Sequence, residues 1–105
     1  MRNCWIDRRR DRQLTEVAEF LMKNFGDLHI MKRPHLMGQK LFIRQLGLHL
    51  GNILYEGAAW RIQFYHQDGS YVDRPLPEQS SAEFWEEIKA ALQTSAVRAA
   101  IKKSA

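Results

Sequence analysis

The chain has a single cysteine, Cys4, so no disulfide can close within it, and the expectation is a protein that folds in a reducing compartment, the cytoplasm. No apolar run approaches the ~20 residues that a membrane-spanning helix needs. The opening, MRNCWIDRRRDRQ, also lacks the apolar stretch of a secretory signal, so no membrane role is expected. Metal-ligand spacing is missing as well. His29 and His35 are separated by a stretch containing Pro34, His49 and His66 stand apart, no two histidines are four residues apart, and there is no Cys-x-x-Cys. No metal and no cofactor are expected.

Catalytic motifs are equally scarce. Ser70, Ser80, Ser81, Ser95 and Ser104 occupy turn, cap, helix or tail positions without a nucleophile elbow, and Cys4 lies near the terminus. Glu86 and Glu87 are the one adjacent carboxylate pair on an amphipathic segment and point different ways. There is no glycine-rich phosphate loop. These absences exclude the common enzyme classes, and the expectation is a protein that is not an enzyme.

What is present is ordinary globular material. Over 105 residues, 45% are apolar and 27% charged, enough for one core but too short for a second. The net charge of +4 is unevenly spread: five arginines (Arg2, Arg8, Arg9, Arg10, Arg12) face only Asp7 and Asp11 in the first thirteen residues, whereas residues 61–105 are neutral. We therefore divide the chain into a basic N-terminal arm, residues 1–10, and a single domain, residues 11–105.

Leu14, Val17, Ala18, Leu21 and Phe25 recur on one helical face and predict a helix over 11–25, with Gly26 as its C-terminal cap. Leu28 to Met31 is a candidate short strand, and the Arg33-Pro34 break and Gly38 make the rest a connection. The segment 39–55 has two competing readings. At helical spacing, Phe42, Ile43, Leu46, Leu50, Ile53 and Leu54 share one arc, Leu41, Leu48 and Tyr55 form a second stripe, and Gly47 and Gly51 fall one turn apart where another backbone would approach. As a strand, Leu46, Leu48 and Leu50 alternate. The longer helical pattern is preferred, which makes this segment a central helix packed on two sides.

Beyond Gly57 the period becomes two. Trp60, Ile62 and Phe64 alternate with Arg61, Gln63 and Tyr65, and a three-residue loop ending in a left-handed Gly69 sets Phe64 opposite Val72. The other face then carries Arg61, Gln63, Tyr65, Tyr71 and Asp73. Pro75 and Pro77 end the second strand. Ser80 and Glu83 have capping-box spacing, and Phe84, Ile88, Ala91 and Leu92 form the core face of a last helix that drifts by Val97 and Ile101. The fold expected is a small α+β domain: two helices, an antiparallel β-hairpin with a candidate third strand, and a C-terminal helix packed on the sheet.

Two surfaces are candidate sites. Arg61, Tyr65 and Tyr71, with His66, form an aromatic and basic platform for a partner protein. Arg8, Arg9, Arg10 and Arg12, with Trp5 able to stack on a base, form a candidate nucleic-acid site. Residues 39–57 also align with a helix-turn-helix around Gly47, with the hairpin as a wing, although Ile43 is large for its position and LGNILYE has no lysine or arginine to meet DNA.

The stretch LGLHLGNILYEGAAW followed by DGSYVDRP resembles the helix-then-hairpin pattern of small bacterial domains, several uncharacterised and some immunity-like. The resemblance spans residues 46–75. It implies a protein-binding accessory role and a helix over 39–55. The expectation is a non-catalytic module, of the kind made by bacterial or mobile-element accessory genes, that binds and modulates a partner protein. The alternative is nucleic-acid binding through the arginine arm. A central helix apolar on two sides would also suit a homodimer.

Overall fold

The computed structural model describes residues 4–35, 38–66 and 68–95, the first four of these by their backbone alone. In chain order these form α1 (Cys4–Asn24), β1 (Leu28–His35), β2 (Gly38–Gln45), β3 (Leu48–Glu56), β4 (Ala59–Tyr65), β5 (Tyr71–Pro75) and α2 (Ala82–Gln93). The strands make one sheet in sequential order, every neighbouring pair antiparallel. Both helices cover the same face, where Leu14, Val17 and Leu21 of α1 and Phe84, Ile88 and Leu92 of α2 share a core with Leu41, Ile43, Ile53, Ile62 and Phe64. Phe20 meets Trp85 between the helices at 4.8 Å, and Phe84 meets Trp60 of the sheet edge-on at 5.4 Å. Among the described residues no helix is long and apolar enough to cross a membrane.

Helix α1 begins earlier than its apolar spacing predicts, so residues 4–10 are its first turns and not a separate arm. Its closing turn is made by the Phe25 N–H donating to the Leu21 carbonyl at 2.9 Å. The left-handed residue that redirects the chain is Asp27, at φ 60°, not Gly26, an exchange aspartate tolerates better than most side chains. The Gly26 carbonyl instead accepts the buried Gln45 amide at 2.8 Å.

The largest correction concerns residues 38–56. They form no helix: β2 and β3 meet through a tight turn at Leu46 and Gly47, both at positive φ (53° and 79°). That overturns the central helix, the helix-turn-helix alignment built on it, and the helix implied by the resemblance over 46–75. The cause of the misreading is visible in β3, where Leu50, Gly51, Asn52, Ile53 and Leu54 are all buried. With side chains of both orientations buried, the alternation that marks a half-exposed strand is lost. The bulge where Leu50 is inserted opposite Ile43/Arg44 shifts the alternation further. The two-stripe argument for a homodimer loses its basis too, because Leu41 is in the core, Tyr55 packs edge-on against Trp60 at 5.4 Å, and Leu48 is exposed beside the turn.

Strand β1 runs past the Arg33-Pro34 break to His35. It is an edge strand, where a proline can sit with its missing N–H on the solvent side. The β4–β5 hairpin forms in the expected register, with Phe64 opposite Val72 and Tyr65 opposite Tyr71. The His66 N–H donates to the Ser70 carbonyl at 2.8 Å, and Gly69 is left-handed at φ 90°. Helix α2 is capped by Ser81, whose Oγ accepts the Phe84 N–H at 3.3 Å, one residue later than the Ser80–Glu83 spacing suggests. Val97 and Ile101 lie outside the described residues.

Candidate functional site

Both helices lie on one side, and among the described residues no element covers the other side of the sheet. Strand alternation and register decide what stands there. Across one row run Met31, Phe42, Asn52, Gln63 and Asp73, and across the next run Arg33, Lys40, Leu54, Arg61 and Pro75. His29, Arg44 and His49 make a third row, and Tyr65 and Tyr71 are paired at the β4–β5 end.

A continuous hydrogen-bond ladder crosses three strands of this face. The His49 Nε2–H donates to Asn52 Oδ1 at 3.1 Å and to the Gly51 carbonyl at 3.2 Å; because both are acceptors, the ring hydrogen is on Nε2. Asn52 Nδ2 donates to Gln63 Oε1 at 3.0 Å, Gln63 Nε2 donates to Asp73 Oδ2 at 3.3 Å, and Arg61 Nε donates to Asp73 Oδ1 at 3.0 Å. The ladder satisfies the buried Asn52 and fixes the Arg61 guanidinium. A buried polar side chain without such partners would cost about 1–3 kcal/mol.

The aromatic groups are held by their neighbours. Phe42 stacks on His49 at 4.1 Å, with the planes 13° apart, and the Arg33 guanidinium lies 4.2 Å from the same ring. Tyr65 and Tyr71 lean together at 5.0 Å while remaining 47% and 52% exposed. Partial burial, and then the nearby Asp73 carboxylate and Tyr65, push the Tyr71 hydroxyl above its ordinary value, so at neutral pH it is a neutral phenol able to donate. Leu54 is fully buried even on this face. It is bracketed in register by Lys40 and Arg61, whose long stems can cover it while their charges stay in water.

The face is cationic. Asp73 is committed to Arg61, and Glu56 to His35 at 3.3 Å. Among the described residues no carboxylate pairs with Arg33, Lys40 or Arg44; the Arg44 Nη2 is turned instead to the Gly47 carbonyl at 2.6 Å. Among the described residues no three histidine, cysteine, aspartate or glutamate side chains gather as a metal site.

Of the four residues expected to form the partner platform, the structure brings together Arg61, Tyr65 and Tyr71. His66 is separated from them, its ring packed edge-on against the core Phe64 at 5.1 Å. The arginine cluster is divided as well. Arg8, Arg9 and Arg12 are exposed on α1, whereas Arg10 is half-buried with its guanidinium 3.5 Å from the Tyr55 ring centroid. Asp11 does not offset these arginines, since it pairs with Lys32 of β1 at 2.7 Å. The Trp5 side chain lies outside the described residues.

Met31, Arg33, Lys40, Phe42, Arg44 and His49 were not recognised as site residues in the sequence, because the segments holding them read as connection and helix. The signal that could have found them is the Leu46-Gly47 pair, read as a two-residue hairpin turn between alternating Leu41, Ile43 and Gln45 on one side and the apolar run of β3 on the other. No family model matches this chain, and no curated protein or solved structure gives a match.

Proposed function

We propose that the protein is a non-catalytic binding module that docks on an acidic surface of a partner protein through the open face of its sheet. The observation that carries this reading is the combination on one face of three cations without carboxylate partners among the described residues, Arg33, Lys40 and Arg44, with an exposed tyrosine pair and an Arg61 held in place by hydrogen bonds. Arginine and tyrosine dominate interface hot spots, and a preorganised arginine loses less freedom on binding than a mobile one. A protein surface fits this face better than a base-stacking strand does. Phe42 already has His49 and Arg33 against its ring, which leaves little of it for a base.

The second reading is nucleic-acid binding by Arg8, Arg9 and Arg12. It is favoured by one specific observation: Asp11, between Arg10 and Arg12 on α1, is taken by Lys32. The two readings separate in one experiment. Affinity-tagged wild type, Arg33→Glu/Arg44→Glu, Tyr65→Ala/Tyr71→Ala and Arg8→Ala/Arg9→Ala/Arg12→Ala proteins are compared for retention of a partner from lysate of expressing cells. In parallel they are compared for binding of labelled single-stranded and duplex oligonucleotides at low and moderate salt. A partner lost with the sheet variants and kept with the helix variant supports the sheet reading. Oligonucleotide binding that falls steeply with salt and vanishes only in the helix variant replaces it with the second.

A further inference from the structure

On the helix side of the sheet a groove of about 660 Å³ opens between α1, the β3–β4 turn and the segment leading from β5 into α2. We propose that this groove binds a short extended peptide segment of a partner protein, one that carries a carboxylate next to an apolar side chain. The site is distinct from the open sheet face and does not depend on that reading.

The charge chemistry of the groove comes from Arg10. Its guanidinium lies flat enough on Tyr55 to sit 3.5 Å from the ring centroid and 5.8 Å from that of Trp60. It also donates to the Gln13 side chain one turn along α1. Stacking and this hydrogen bond hold the planar fork in place, and most of its five N–H groups are left for a ligand. The groove's own acid on α1 does not neutralise it: Glu16 accepts the Gln79 amide at 3.3 Å, and that amide also donates to the Gln13 carbonyl at 3.1 Å. Among the described residues no carboxylate pairs with Arg10. A carboxylate meets a guanidinium through two parallel hydrogen bonds; neither Glu16 nor Glu78, the two acids lining the groove, makes them with Arg10, so the guanidinium is left to a carboxylate of the ligand.

The walls specify the rest. Trp60, Trp85, Leu76 and Pro77 line the groove beside Arg10, a surface suited to an aliphatic or aromatic side chain adjacent to the acid. The volume is within the ~300–1,000 Å³ of ligand sites, but the groove is open to solvent and not closed over. Small molecules gain affinity from enclosure, whereas an extended chain can lie in an open groove and continue out of it at both ends. This favours a peptide as the occupant.

The test uses the intact protein and a labelled short peptide alternating glutamate with leucine and phenylalanine. Binding is followed by polarisation and by the fluorescence of Trp60 and Trp85. The same peptide with glutamine for glutamate should bind at least about tenfold more weakly, because the charge-assisted pair is lost. Arg10→Gln should weaken the acidic peptide by a similar factor. Ala58→Asp should do the same without touching the core: Ala58 lies in the β3–β4 turn at φ 65° and lines the groove, aspartate tolerates that conformation, and its carboxylate would compete for Arg10. Lys23→Glu, exposed at the far end of α1 and outside the groove, should leave this affinity unchanged. Equal binding of the glutamine peptide, no binding at millimolar peptide, or no effect of both groove variants would overturn the proposal. So would displacement of the peptide by lower concentrations of free phenylacetate or of a single-stranded oligonucleotide.

Discussion

Replacing Gly51 by alanine probes the tightest backbone approach in the sheet. A Cβ at this position would lie 3.0 Å from the Phe64 Cβ and 3.3 Å from the Gln63 carbonyl carbon, and closer still to the Gln63 carbonyl oxygen. Two of those three atoms are backbone, so β4 cannot yield by rotating a side chain. The strands must separate locally, at an overpacking cost of about 1–3 kcal/mol and with a β3–β4 hydrogen bond weakened, about 1 kcal/mol more. Alanine restricts the unfolded chain and returns roughly 0.5–1 kcal/mol. The net loss should be about 2–3 kcal/mol, a large share of the ~5–15 kcal/mol that holds a small domain together. At about 4–8 °C per kcal/mol for a domain near this size, Gly51→Ala should lower Tm by roughly 10–20 °C. Thermal and urea melts followed by far-UV circular dichroism measure it directly. Gly38→Ala is the matched control, since a Cβ there meets nothing within 4 Å and its φ is not positive. If Gly51→Ala and Gly38→Ala melt within about 3 °C of each other, the close approach of β3 to β4 is wrong.

Three further outcomes are expected. Leu46 occupies a left-handed turn position at φ 53° while 61% exposed, so Leu46→Asn should relieve strain at no packing loss and raise stability by about 1 kcal/mol; an unchanged urea midpoint counts against the turn. The Ser70 hydroxyl and backbone N–H both donate to the Asp68 carboxylate, at 2.7 and 2.9 Å, and hold its pKa below the ordinary 3.8. A depressed carboxylate stabilises the fold above its unfolded pKa, and that contribution is lost as pH falls through the folded value. An NMR titration should therefore show Asp68 shifted down in the wild type and moved back up in Ser70→Ala, and identical midpoints would contradict the turn geometry. Phe84 is fully buried and packs edge-on against Trp60 and Trp85. Phe84→Ala should cost about 3–5 kcal/mol and shift tryptophan emission to the red in whatever fraction stays folded, whereas a melt within 1 kcal/mol of wild type would remove α2 from the core.

Part of the candidate face was legible in the sequence, and the reason is local. Arg61, Tyr65 and Tyr71 belong to a hairpin whose turn glycine and apolar pairs set its register within fifteen residues, so their shared face followed from alternation alone. The same alternation placed His66 on the other side from Tyr65. Arg33, Lys40, Phe42, Arg44 and His49 were hidden for a different reason. β2 and β3 are defined by partners on either side and the edge strand β1 by β2 alone, and periodicity carries no record of a neighbour.

The amphipathic faces of α1 and α2 were determined by the sequence itself, because Leu14, Val17 and Leu21, and Phe84, Ile88 and Leu92, need only the 3.6-residue period to lie together. The β4–β5 register was determined in the same way, by a period of two and one left-handed glycine. Residues 38–56 were decided only by the tertiary structure. β3 lies between β2 and β4, buries side chains of both orientations and carries a bulge, so its apolar residues fall at spacings a helix would also satisfy. The choice went to the conformation that lets Gly51 pass against β4 and leaves one face of five strands without a helix among the described residues.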